Sequence, residues 1–284
     1  MTKIVDYGTF ADRLKAAPNR WHVLREFFEE WGCAVDPDWD RWDRGAEDEQ
    51  ETAGALSGEP GDEDGLEDDD TPPIPDAVFE LWDLPLDSYY QYDDTNMLTL
   101  PLVRFDPSSN GDPGPLQDDS DLVAPGSDRR VCVFLAEHQY CNEWGYLAAE
   151  AHEPDPRVLV SVGDERWVLQ ARSVSEFFLQ LAVQRLPRRL GWSTRIRDEE
   201  IIDGDEDDLR ARIAERMPEL GFEPWAELER YTIVYGGPDV LVFVADGELG
   251  GIDFAGRTAQ AVLDLAERLG VKLAEEELGK PGQY

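Results

Sequence analysis

Apolar and polar positions along the chain fall into segments of two periods. Val131, Val133 and Leu135 alternate with Cys132, Phe134 and Ala136. The run is too short for a helix and rich in β-branched and aromatic residues, which predicts a strand buried on both faces. Trp144, Tyr146 and Ala148 alternate with Gly145 and Leu147 as in a half-buried strand, and Glu153-Pro154-Asp155-Pro156 ends that segment because two amide donors are missing. Val158 to Val162, the turn Gly163-Asp164-Glu165 and Trp167 to Leu169 read as a hairpin. Ser173 and Glu176 then stand at the spacing of a capping box. The helix they open carries Phe177, Phe178, Leu181, Ala182 and Leu186 on one stripe, against which Trp167 is expected to pack, and Pro187 is expected to stop it.

On the N-terminal side, Trp21, Leu24, Phe28 and Trp31 recur at helical spacing ahead of Gly32, which sits where a helix is closed by glycine. Such a stripe is core far more often than binding surface. Past Pro187 a boundary is expected. Leu209 to Met217 reads as a helix, and Tyr231 to Tyr235, Val240 to Val244 and Leu249 to Phe254 read as a three-strand meander. A closing helix carries Ala261, Val262, Leu265 and Leu269 on one face, with Gly270 beyond its end. The pattern therefore predicts an α+β chain. Residues 1–190 would form a predominantly antiparallel sheet with packing helices, and residues 205–284 a small α/β appendage of βββα order packed against it.

Charge narrows the range of partners. The 284 residues include 63 acidic and 26 basic side chains, a formal net charge of −37, which disfavours nucleic acid and anionic membrane surfaces and favours a cationic partner. The stretch from Asp43 to Thr71 has Arg44 as its only cation, with glycines between its carboxylates. Together with the proline-punctuated stretch over 106–128, it reads as a disordered insertion. A third acidic cluster, Asp198 to Asp208, is expected to need no secondary structure. The absence of a leader pattern or membrane span, and three cysteines (Cys33, Cys132, Cys141) without Cys-x-x-Cys spacing, lead to the expectation of a cytoplasmic protein without a disulfide scaffold.

The motifs of catalysis do not assemble. His22, His138 and His152 have neither metalloprotease nor zinc-finger spacing. Asp36, Asp38 and Asp40 begin like a calcium loop but lack its later glycine and glutamate, and in the Asp203, Asp205, Asp207 run Asp208 stands where glycine is needed. No phosphate-binding glycine loop, dinucleotide fingerprint or nucleophile elbow is present. With so many carboxylates, a close pair carries no glycosidase signal. No enzyme, metal or cofactor is expected.

The order of an apolar strand, Glu137-His138-Gln139, Trp144-Gly145, Asp155-Pro156-Arg157-Val158, the lone strand residue Trp167 and the Ser173 to Leu179 helix start resembles the SUKH superfamily. Pro72 to Val78 and Asn96 to Pro101 look like that family's helix start and following strand, so the resemblance spans about residues 20 to 187. The family's usual Glu-Asn-Gln is Glu-His-Gln here. The family includes many bacterial immunity proteins and relatives of a fungal cell-wall synthesis regulator. The resemblance implies a binding protein that neutralises a basic toxin effector domain by direct contact, the alternative being a non-catalytic regulatory or scaffold protein of the same fold. The short polar turn between the two strands is expected to present Glu137, His138, Gln139, Glu143 and Trp144 to that partner.

Overall fold

The structure, a computed structural model, describes residues 3–33, 72–84, 96–98, 116, 120–137, 141–162, 166–228, 230–247 and 250–282. The acidic stretch from Asp43 to Thr71 lies outside them. The fold is α+β, built on two five-stranded antiparallel sheets.

The first sheet runs in chain order through β1 (Asn96–Leu98), β2 (Val131–Glu137), β3 (Glu143–Leu147), β4 (Val158–Val162) and β5 (Arg166–Ala171). β3 is buried along its whole length rather than half-buried, because both faces are covered. Leu116, Leu122 and Val123 pack over Val131, Val133, Leu147, Leu159 and Trp167 on the outer face. The part of the 106–128 stretch that is described thus forms a packed cover rather than a disordered insertion. Trp167 lies on that outer face, away from the helix expected to hold it. Pairing Ser161 with Trp167 turns the alternate residues Val168 and Gln170 inward, since strand side chains alternate.

The inner face carries α1 (Phe10–Ala16), α2 (His22–Glu30), α3 (Asp76–Asp83) and α4 (Val174–Leu190). α2 closes as its sequence predicts. Gly32 takes φ 84°, and the Cys33 and Gly32 amides donate to Phe28 and Glu29 carbonyls at 3.0 and 3.1 Å. α4 opens on Ser173, whose Oγ accepts from the Glu176 amide at 3.1 Å, and Asp155 accepts the Ser175 amide at 3.0 Å. Pro187 does not end α4. It removes a single amide donor, while burial of the surrounding turn and a Gly191 amide bond to the Pro187 carbonyl at 3.0 Å carry the helix on to Leu190.

The second sheet has the order β6 (Trp192–Arg195), β10 (Gly251–Gly256), β9 (Val240–Asp246), β8 (Arg230–Gly237) and β7 (Trp225–Glu227). The meander is as the pattern reads it, and the short strands β6 and β7 extend it on either side. α5 (Glu206–Arg216) and α6 (Ala259–Leu269) cover its outer face. Trp225, Leu241, Phe243 and Ala255 on the inner face join one core with Trp144, Phe177 and the first sheet. α4 therefore lies between the sheets, and the boundary expected at Pro187 falls inside a helix that serves both.

The N-terminal segment is tied to the far end of the fold. Val5 and Asp239 exchange bonds, the Val5 amide to Asp239 Oδ1 at 3.0 Å and the Asp239 amide to the Val5 carbonyl at 2.7 Å. Arg257 reaches Asp239 Oδ1 at 2.7 Å and the carbonyls of Lys3 and Glu30 at 2.9 and 2.8 Å.

Candidate functional site

The turn between β2 and β3 is part of the interior. Glu137, Glu143 and Trp144 are 4%, 5% and 0% exposed, so these three are not presented to a partner as the sequence reading expected; His138 and Gln139 lie outside the described residues. The physical reason is position. β2 and β3 are central strands, and the edge of the second sheet abuts their turn.

The local chemistry explains the composition of the turn. The Glu137 amide donates to the Asn142 carbonyl at 2.9 Å, and Glu137 Oε2 accepts the Cys141 amide at 3.4 Å, a carboxylate tying down a tight turn. Asn142, which the sequence reading passed over, makes the longest reach. Its Nδ2 donates to the Ser161 carbonyl at 2.6 Å, and its Oδ1 accepts from the Leu228 amide at 2.7 Å. The Glu143 amide donates to Ser161 Oγ at 2.8 Å. Leu228, at φ 50°, stands in the left-handed region that leucine disfavours, and the Asn142 bond helps to hold it there.

Aromatic stacking continues the joint. Trp144 lies stacked on Trp225 with centroids 5.6 Å apart, and Phe177 is stacked on Trp225 at 5.5 Å. Trp225 Nε1 donates to Glu227 Oε2 at 2.9 Å, and Arg185 of α4 donates to Glu227 Oε1 at 2.5 Å. Burial pushes the Glu227 carboxyl up, but the Arg185 charge and hydrogen bond, with the Trp225 N–H, outweigh it and hold the group below the usual carboxylate range. Gln170 and Gln180 complete the joint: Gln170 Oε1 accepts the Ala226 amide at 3.0 Å, and Gln180 Nε2 donates to the Glu223 carbonyl at 2.5 Å. These polar groups satisfy the backbone where the two sheets meet.

No protein-family model, curated protein or solved structure matches the chain. Among the described residues no cluster of three or more His, Cys, Asp or Glu side chains is arranged to hold a metal ion, and no helix is long and apolar enough to cross a membrane.

The surface that bears the charge lies elsewhere. Asp198, Glu199, Asp203, Asp205, Asp207 and Asp208 are exposed, and the fold brings Glu275, Glu276 and Glu277 beside them. An Ile201 to Val271 bridge and a Lys272 amide bond to the Glu200 carbonyl at 2.7 Å join the two segments. Arg197, the cation between them, is engaged by Glu199, Glu200 and Glu277. Part of this cluster is structured after all: Asp205 and Asp208 cap α5 reciprocally, amide to carboxylate, at 3.0 and 3.2 Å, and acidic residues in that first turn suit the positive end of the helix. Ile202 stands among these carboxylates with 48% of its surface exposed. Its backbone is fixed by a bond to the Gly270 carbonyl at 2.8 Å and by Arg212 on its own carbonyl at 3.3 Å. The adjacency of Glu275 to Glu277 has no local signal in the sequence, because it depends on pairing across about 70 residues.

Proposed function

We propose that the chain is a non-catalytic binding protein that neutralises a basic toxin effector domain, as an immunity protein does, and that it receives this partner on the Asp198 to Asp208 and Glu275 to Glu277 face. The observation that carries the reading is an exposed isoleucine, held by its backbone, on a face where two runs of exposed carboxylates meet, in a chain of net charge −37. The carboxylates steer a cationic partner and form the polar rim, and Ile202 supplies the apolar contact at the centre. The two contributions separate kinetically. With a basic effector domain encoded beside this chain's gene, Asp203→Lys with Asp207→Lys should slow association and flatten its salt dependence. Ile202→Ala should mainly speed dissociation. Unchanged association in the charge-reversed variant would move the partner to another surface, and no binding by the native chain would remove the reading.

A further inference from the structure

One segment of the chain occurs twice. Pro156, Val158, Leu159, Val160, Val162 and Asp164 return as Pro238, Val240, Leu241, Val242, Val244 and Asp246, six identities in nine positions. The neighbouring elements correspond as well. Trp144 and Gly145 pair with Val160 and Leu159, as Tyr235 and Gly236 pair with Val242 and Leu241. Arg172-Ser173 and Arg257-Thr258 then open α4 and α6, with Ser173 Oγ accepting the Glu176 amide and Thr258 Oγ1 the Ala261 amide, both at 3.1 Å. The chain therefore contains one module twice, β3-β4-β5-α4 and β8-β9-β10-α6.

Each module turns the same side of its sheet to its own helix. Val158, Val160 and Val162 lie in the core with α4, and Val240, Val242 and Val244 lie in the core with α6. The reverse face of the second sheet, with Leu241, Phe243 and Ala255, receives α4 of the first module, whose Arg188 guanidinium lies 4.2 Å over the Phe243 ring. By the same register, the reverse face of the first sheet carries Leu159 where the second has Leu241 and Leu169 where the second has Ala255. What meets this face is Leu116 with Leu122 and Val123, the last two half-buried. Ser120 to Asp128 runs as turns. Its Leu122 and Ser127 amides bond within the segment, to Ser120 Oγ at 3.3 Å and the Ala124 carbonyl at 3.1 Å, and Arg157 holds the Leu122 carbonyl. Three side chains thus cover on the first sheet what a helix of 17 residues covers on the second, and a segment with so few buried apolar groups opens at low cost.

We infer that the reverse face of the first sheet is a docking surface for an amphipathic helix of a protein partner, apolar on one side and cationic on the other, and that Ser120 to Asp128 is the strap that closes it. The seat of α4 on the second sheet sets the shape of the occupant, a helix laid across an apolar surface. Charge sets its outer side. At the rim Arg130 and Arg157 are paired with Asp128 and Glu150 at 2.5 and 2.7 Å, which leaves the sign to the chain's −37. A second copy does not fit, because the helix that would arrive in register, α6, exposes Gln260, Asp264, Glu267 and Arg268 and comes with the same net charge. This surface lies at the opposite end of the layered fold from Ile202 and stands whether or not the acidic face receives a protein.

The test titrates the full chain, at physiological ionic strength, with a synthetic peptide of leucine and lysine as long as α4 that places its leucines on one side of a helix. Saturable one-to-one binding is expected, with the Leu122 and Val123 methyl resonances moving toward unfolded positions as the strap leaves. Leu122→Ser loosens the strap and should tighten binding about five- to tenfold, because apparent affinity rises with the open fraction. Leu169→Lys, at a half-buried position of the face itself, should weaken binding about tenfold or more by burying a cation in the interface. If that variant does not fold, the Leu122→Ser comparison still decides. Ile202→Ala should bind the peptide as the native chain does, which separates this surface from the acidic one. A scrambled peptide of the same composition that binds as tightly, strap resonances that do not move, a Leu122→Ser variant that binds no tighter, a folded Leu169→Lys variant that binds no more weakly, or loss of binding in Ile202→Ala would each overturn the inference.

Discussion

Asn142 divides its carboxamide between two sheets, donating to Ser161 in the first and accepting from Leu228 beside the second. Replacing it with alanine strands a buried carbonyl and a part-buried amide at once. Asn142→Ala should therefore lower unfolding free energy by about 2 to 3 kcal/mol in chemical denaturation, and the Leu228 amide should lose its protection from hydrogen exchange. A loss below about 0.5 kcal/mol, the level of an ordinary surface change, would show that the joint holds without it. At this scale the sequence was legible where burial follows local pattern, as for Phe177 and Phe178. It misled at Glu137 and Glu143, because a polar turn that faces a second sheet has the same composition as one that faces water. Only the partner 86 residues away distinguishes the two. Trp167 was placed on the wrong face of its sheet for a related reason: both faces are apolar, so alternation gives no direction.

Elements whose signals are local came through well. The capping serine of α4, the closing glycines Gly32 and Gly270, and the meander of β8, β9 and β10 could each be read from adjacent residues. β6 and β7 could not, since strands of four and three residues are too short for a period to show and owe their existence to neighbours already in place. The same dependence marks the end of α4. A Cβ added at Gly191 would fall 2.5 Å from the Trp31 ring, 2.6 Å from the Pro187 carbonyl oxygen and 2.8 Å from that of Gly256, where α2, α4 and β10 meet. Gly191→Ala should cost about 1 to 3 kcal/mol as an overpacked site, lowering the melting temperature without loss of helix content at low temperature. Wild-type stability would mean that these three elements can part without penalty.

For the molecule as a whole, the core is continuous across α4: Trp225, Leu241 and Phe243 of the second sheet share it with Trp144 and Phe177. Residues 1–190, which the sequence marks off as a unit, include one side of this core and lack the other. A chain ending after Leu190 should consequently show no cooperative thermal transition and should bind a hydrophobic dye, whereas the full chain should melt in one step. A sharp, dye-free transition in the shortened chain would establish the unit as independent.

The clasp between Val5 and Asp239, with Arg257 reaching back to Lys3, bears on how the chain is made. A ribosome releases residues in order, so Val5 emerges 234 residues before the side chain that fixes it. Through most of synthesis the first segment has nowhere to settle, and contacts of such long sequence separation form slowly. The segment around Val5 is therefore made early and is among the last to find its place. A protease or chaperone that reads the segment around Val5 meets it open until the closing strands of the second sheet have left the tunnel.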